Sequence, residues 1–270
     1  MSKDLDYTVI SVFAAPELGF KGNPAAVIRT EHPLSDNEMQ LLANKIQMPA
    51  TSFIYVDEGG RYQVRWFAPD EEIGLCGHGA AAAGIYLGME AQRQKTFLLN
   101  YKEGQVQVQW MGKNGFRLRL EPIPVIRKIQ VPEAIEEGLG IPVIAMWETS
   151  NKHLILTDGE KSVREMKPDF ETLRKSAVFG YAVTAEGEEA DFVSRTLVPH
   201  VQQLEDHATG SSHAFLVPFW AEELGKKEMT SYQLSPRGGL FKSVFNETHL
   251  DLIGKYTVGK IDAVAGHHGG

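Results

Sequence analysis

The sequence predicts an α+β fold of two similar halves, each an antiparallel sheet wrapped around one enclosed helix. Three observations point there. Short segments alternate apolar with polar residues, as in Tyr62-Gln63-Val64-Arg65-Trp66 and Phe116-Arg117-Leu118-Arg119-Leu120, which is the pattern of strands with one wet face. Two helical segments, Gly79 to Leu87 and Gly210 to Leu224, are dominated by small or apolar residues and so should be surrounded by strands. Both begin from the same kind of loop, since Cys76-Gly77-His78-Gly79 aligns with Thr209-Gly210-Ser211-Ser212. A duplicated unit whose halves face each other across a cleft is the expectation.

Taken in order, Tyr7 to Phe13 and Pro24 to Ile28 read as strands joined by the turn-rich Gly19-Phe20-Lys21-Gly22-Asn23. Ser35 and Glu38 form a capping box, and Met39, Leu42, Ala43 and Ile46 then share one helical face. That helix should stop near Met48, because Pro49 has no N–H to continue it. Strands follow at Ser52 to Val56, Tyr62 to Phe67, Val106 to Trp110 and Phe116 to Leu120, with hairpin-type turns at Glu58-Gly59-Gly60 and Lys113-Asn114-Gly115. The pattern breaks at Pro122 to Pro124. The domains are therefore placed at 1–122 and 123–270, with the last strand free to return to the first.

In the second half, strands are expected near Ala145 to Trp147, Leu154 to Leu156, Val178 to Thr184 and Phe192 to Ser194, with helices near Pro132 to Gly138 and Phe170 to Ser176. Pro218 falls inside the apolar helix, where the lost backbone bond costs roughly 3 kcal/mol unless compensated, and a kink is expected. Leu240 to Phe245, His249 to Ile253 and Tyr256 to Ile261 complete the strands. The end, Ala265 to Gly270, reads as a flexible tail.

Composition narrows the function. The chain has 270 residues, enough for two domains of ordinary size, and its 43% hydrophobic and 23% charged content is that of a globular protein. A formal net charge of -8 with no basic run argues against nucleic acid as a partner. One cysteine, Cys76, rules out an intramolecular disulfide or a cysteine-rich metal site. No stretch is long and apolar enough to cross a bilayer, and the start lacks the pattern of a signal peptide, so a cytoplasmic location is expected.

The two loops carry the chemistry. Small residues at a helix start leave backbone N–H groups uncovered, and with the helix dipole they favour a carboxylate or phosphate. Asp206, beside the second loop in Glu205-Asp206-His207-Ala208-Thr209-Gly210-Ser211-Ser212-His213, would neighbour that anion and suits proton transfer. His78 stands between two glycines where packing asks for no imidazole, which makes it a catalytic or substrate-contacting candidate. Cys76 reads either as a buried small hydrophobe or as a thiol activated by the helix start and His78. Its spacing from His78 does not by itself place the two within hydrogen-bond reach, which counts against acyl or amide transfer. Ser211 has no G-x-S-x-G elbow around it, Glu71 and Glu72 read as a solvated turn, and His267 and His268 lack the surroundings of a metal site.

These segments resemble the PhzF-like family of phenazine-biosynthesis-type isomerases, relatives of diaminopimelate epimerase. Lys21-Gly22-Asn23-Pro24-Ala25-Ala26-Val27 matches, as do Arg65-Trp66-Phe67-Ala68-Pro69 with Glu72 to His78, and Glu205 to His213 with Pro218-Phe219-Trp220. The resemblance implies a diaminopimelate-epimerase-like fold of two domains and a biosynthetic isomerase that moves a proton on a small carboxylic acid, without metal or organic cofactor. By motif, His78 and Asp206 fall on catalytic positions, Cys76 and Thr209 where the epimerases hold their acid/base thiols, and Gly77, Gly210 and Ser211 on substrate-contacting ones. Gly79 and Ser212 belong to the same substrate-binding loops, and a homodimer is expected. One departure stands out. The family's principal acid/base glutamate is replaced in Met48-Pro49-Ala50-Thr51-Ser52-Phe53 by Ala50. Loss of a general base removes a factor of about 10² to 10⁴ in rate, so either Asp206, His78 or Cys76 carries the chemistry or the protein binds a carboxylate with little turnover.

Overall fold

The computed structural model describes residues 4–265, so the tail expected at its end, with His267 and His268, lies outside the described residues. The described residues form two compact units. One comprises those of Met1–Ala15, Gly22–Arg119 and Ile253–Gly270, and the other Pro16–Lys21 and Leu120–Leu252.

In the first unit, β1 (Leu5–Val12) pairs antiparallel with β2 (Asn23–Arg29). Helix α1 (Asp36–Ile46) then carries the chain across to β3 (Thr51–Val56), which lies parallel to β2 with Ala26 opposite Thr51. The Ser35 hydroxyl accepts the Glu38 N–H at 3.3 Å while the Ser35 N–H donates to Glu38 Oε2 at 2.9 Å, so the capping box is formed. Met39, Leu42, Ala43 and Ile46 are the buried face of α1, packed on Ile28, Phe53 and Phe67. β4 (Tyr62–Phe67) is antiparallel to β3, and a two-residue β5 (Glu72–Ile73) is antiparallel to β4. After α2 (Gly77–Ala91), β6 (Lys95–Tyr101) lies parallel to β4, and β7 (Gly104–Trp110) and β8 (Phe116–Leu120) continue antiparallel.

The second unit repeats this order. β9 (Val125–Ile129) and α3 (Glu133–Leu139) lead to β10 (Ala145–Thr149), which is antiparallel to β11 (His153–Leu156). Two short helices, α4 (Glu160–Glu165) and α5 (Phe170–Leu173), replace the single α1 and bring β12 (Tyr181–Glu186) parallel to β11. β13 (Phe192–Val198) is antiparallel to β12, and a three-residue β14 (Leu204–Asp206) to β13. Helix α6 (Gly210–Leu224) then returns the chain to β15 (Glu228–Gln233), parallel to β13, and β16 (Gly239–Asn246) and β17 (His249–Gly254) follow. The final strand, β18 (Tyr256–Val264), pairs with β1, as β9 pairs with β10.

The sheets are therefore mixed, and the expectation of antiparallel strands alone is corrected. The parallel pairs β2–β3, β4–β6, β11–β12 and β13–β15 arise because each is joined through helical segments, and a parallel pair needs such a crossover. Each long helix is enclosed as expected. α2 packs against β1, β2, β3, β6 and β7, and α6 against β12, β15 and β16. Glycine lets the sheet approach α2 closely: a Cβ at Gly84 would stand 2.4 Å from Val108 Cγ1, and one at Gly88 2.5 Å from Trp110. Pro218 leaves α6 unbroken. The carbonyl of Ala214, whose intrahelical donor Pro218 lacks, accepts the Ile123 N–H at 2.9 Å, so the proline-rich segment Pro122 to Pro124 supplies the missing partner.

Segment Pro16–Lys21 joins the second unit through specific contacts. Lys21 N–H donates to Arg237 O at 2.7 Å, and the Phe20 ring meets Tyr232 edge-on. Gly238 has φ +69 and lies under Phe20, whose Cδ1 would be 2.3 Å from a Cβ there, so both backbone and space require glycine.

Candidate active site

The two loop-to-helix units have nearly the same backbone. Cys76 caps α2 at φ -110, ψ 98, and Thr209 caps α6 at φ -111, ψ 100. Each helix has 15 residues and stops at a left-handed residue, Gln92 or Gly225. Neither N-cap side chain accepts a backbone N–H of its own helix, so the donors of the first turn, which have no intrahelical acceptor, are not taken up by a side-chain cap.

In the first unit, β4 and β5 deliver the chain to Cys76. Arg65 grips Glu72 with two bonds of 2.7 and 2.8 Å and Asp36 with one of 2.6 Å, so Glu72, exposed as expected, is an ion-paired strand residue rather than part of a turn. Trp66, 1% exposed, lies beneath the start of α2: a Cβ at Gly79 would be 2.5 Å from its Cδ1. That contact accounts for Gly79, and the Ser52 hydroxyl holds the Gly79 carbonyl at 3.0 Å. Cys76 and His78 are both buried, with Sγ 3.5 Å from Nδ1. The sequence spacing left this reach open; the extended backbone of Cys76 followed by one helical step closes it. Ala50, immediately before β3, is fully buried, and its carbonyl accepts the Ala26 N–H at 2.9 Å.

In the second unit, Asp206 ends β14 and is half-buried, its Oδ1 accepting the His207 N–H at 2.9 Å. The preceding Glu205 is held by Arg195 through two bonds of 2.8 Å, and Arg195 also donates to Met166 O at 2.6 Å. Thr209 is buried, with its N–H and hydroxyl both engaged by Gln233. Gly210 is buried, and Ser212 Oγ accepts the Thr196 hydroxyl at 3.0 Å in the interior. Ser211 is half-buried and meets a cation, Lys152, whose Nζ donates to Ser211 Oγ at 3.1 Å and to Asn151 Oδ1 at 2.9 Å.

His213, one turn into α6, is a structural histidine. Its Nδ1 lies 2.9 Å from the Thr209 carbonyl, which can only accept, so the proton sits on Nδ1 and Nε2 accepts from the Ser231 hydroxyl at 3.0 Å. Its ring stacks on Phe241 at 3.6 Å, and complete burial pushes its pKa down to about 4 against the Thr209 bond, which favours the charged form. Trp66 lies within the matched Arg65 to Pro69 segment, whereas Gln233, Lys152, Thr196 and Arg195 were not marked by the sequence motifs. They come from strands and turns far along the chain, and only β-pairing delivers them. No group of three or more metal-ligating side chains occurs among the described residues.

A mixed sheet with an enclosed helix, built twice in one chain, defines an α+β protein of the epimerase fold class. Solved structures share it: a PhzF-family protein of Enterococcus faecalis has TM-score 0.88 at 30% identity, covering 97% of this chain and 99% of that one. A hydroxyproline epimerase of Agrobacterium vitis shares the fold at TM-score 0.64 with 12% identity, covering 98% and 94%.

The chain belongs to the PhzC-PhzF family, whose model, described as phenazine biosynthesis-like protein, matches residues 10–258. An uncharacterized isomerase of Pseudomonas aeruginosa is 36% identical over 82% of this chain and 84% of its own length. The human phenazine biosynthesis-like domain-containing protein is 30% identical over 82% and 85%.

Proposed function

We propose that this protein is a cofactor-independent isomerase that moves a proton on a small carboxylic acid, an amino acid or an aromatic or cyclic acid. The observation that carries the reading is the matched pair of helix starts, each without a side-chain cap and each beside a group able to exchange a proton. The Asp206 side chain takes the proton from a carbon next to the substrate carboxylate. Helix-start N–H groups stabilise the charge that develops on the carboxylate oxygens. His78, with Cys76 at its Nδ1, returns a proton to a second carbon or to the other face, so no net proton is gained. Gly77, Gly79, Thr209, Gly210, Ser211 and Ser212 form the two loops that hold the substrate. Family membership and relatives named as isomerases support the reaction class.

A second reading has its own observation. Ala50 replaces the glutamate that the family resemblance implies, and a methyl group exchanges no proton, so the protein would bind a carboxylate without appreciable turnover.

Solvent exchange separates the two. In D2O, a panel of amino acids and of aromatic and cyclic carboxylic acids is followed by proton NMR. The isomerase reading expects loss of one C–H signal with wild type. Asp206→Asn should abolish it while leaving half-saturation within about tenfold, because the helix-start donors remain. Tight binding with no exchange across the panel would select the binding protein, and exchange undiminished in Asp206→Asn would move the base to His78 or Cys76.

A further inference from the structure

Gln233 is the last residue of β15 and is fully buried. Its amide makes three hydrogen bonds. Nε2 donates to the Asp206 carbonyl at 2.7 Å and to the Thr209 hydroxyl at 3.0 Å, and Oε1 accepts the Thr209 N–H at 2.7 Å. The orientation of the amide is forced, since a backbone N–H needs an acceptor and a carbonyl needs a donor. Asp206 and Thr209 are the two ends of the turn that leads from β14 into α6. One side chain therefore closes that turn.

We propose that Gln233 is a positioning residue for Asp206: by spanning residues 206 to 209 it fixes the Asp206 carboxylate relative to the first turn of α6. The inference rests on the reading of Asp206 as the acid/base group. An amide is the side chain suited to the task, because a carboxylate of the same shape could not donate to the Asp206 carbonyl and an apolar side chain could serve neither end. β14 is otherwise only three residues long, paired to β13 with Asp206 opposite Thr196. Arg195 secures the neighbouring Glu205 side chain, and the Ser235 hydroxyl donates to the His207 carbonyl at 2.6 Å inside the turn, while Gln233 ties the two ends of the turn together. The first unit solves the same problem differently, with Trp66 under Gly79 and Ser52 on its carbonyl. Gln233 also withdraws the Thr209 N–H from any ligand, so the donors left to an anion at α6 begin with Gly210 and Ser211.

The test uses Gln233→Leu and Gln233→Glu in the full chain, with two readouts. Amide hydrogen exchange of the ligand-free protein reports the turn at Thr209 against Val183 in β12 as a reference. The rate and half-saturation of carbon–deuterium exchange, measured on the panel acid that wild type exchanges fastest, report the chemistry. Gln233→Leu should speed Thr209 exchange about tenfold or more without changing Val183, and slow carbon exchange about 10- to 100-fold with half-saturation within about threefold. Gln233→Glu, which preserves shape and the acceptor for Thr209, should keep Thr209 protected and still slow carbon exchange. Folded Gln233 variants with wild-type Thr209 protection and wild-type carbon exchange would overturn the proposal, as would a parallel loss of protection at Thr209 and Val183. If wild type exchanges no acid, the isomerase reading fails by itself, and unchanged Thr209 protection in Gln233→Leu would separately remove the turn-closing role.

Discussion

His213 should make the second unit acid-sensitive at a pH set by burial. In the unfolded chain its imidazole has the ordinary affinity, near pH 6.5, whereas in the folded protein burial lowers it to about 4. The unfolded state thus binds more protons between these values, and stability rises with pH across the window. Above pH 6.5 the neutral imidazole carries no penalty; as pH falls toward 4, stability is lost. Each tenfold difference in proton affinity corresponds to about 1.4 kcal/mol, so the full window amounts to about 3 kcal/mol. His213→Phe keeps a planar ring against Phe241 but cannot titrate. It will lower stability at neutral pH, since the Ser231 hydroxyl loses its imidazole acceptor and the Thr209 carbonyl keeps only the backbone N–H of residue 213 from this position. The informative quantity is the slope. Urea denaturation from pH 7.5 to 4.5 should show wild type losing about 2 to 3 kcal/mol more than His213→Phe. Parallel pH profiles for the two proteins would refute the argument, because they would mean that the folded imidazole takes up its proton as readily as the unfolded one.

Other expectations follow from single contacts. Gly84→Ala gains helix propensity, yet its Cβ would overlap Val108, so a net loss of about 1 to 3 kcal/mol is expected in thermal or denaturant unfolding. Ile123→Pro removes the donor that Pro218 makes necessary and should cost about 1 to 3 kcal/mol by leaving the Ala214 carbonyl unsatisfied; Pro218→Ala in the same background should recover part of the loss, and no recovery would show that the two are not linked. Lys152→Met removes the cation fixed on Ser211 and should raise half-saturation for a carboxylate about 3- to 10-fold with little change in unfolding; an unchanged value would place the ammonium away from the bound anion.

Much of the fold was legible because it is written in local patterns. The capping box at Ser35 and Glu38 needs only three residues and a hydroxyl, and α1 forms from it as read. The likeness of Cys76-Gly77-His78-Gly79 to Thr209-Gly210-Ser211-Ser212 survives as two helix starts with the same dihedral angles, since small residues permit one backbone solution in both. Strand β6 was missed because Phe97-Leu98-Leu99 does not alternate, and β15 because its inward residues, Ser231 and Gln233 among them, are polar. Burial of such residues is decided by partners that a linear pattern does not contain.

The sequence by itself therefore determined the duplication, the two enclosed helices and the contiguous loop residues from Cys76 to Gly79 and from Asp206 to Ser212. What holds those loops was decided by tertiary structure alone. Gln233 reaches Asp206 and Thr209 from 24 to 27 positions away, Lys152 reaches Ser211 from 59, and Ile123 meets Ala214 across most of the second unit. Hydrogen bonds at such separations depend on the parallel crossovers that bring distant strands into register. That register is a property of the assembled sheet, which no window of neighbouring residues carries.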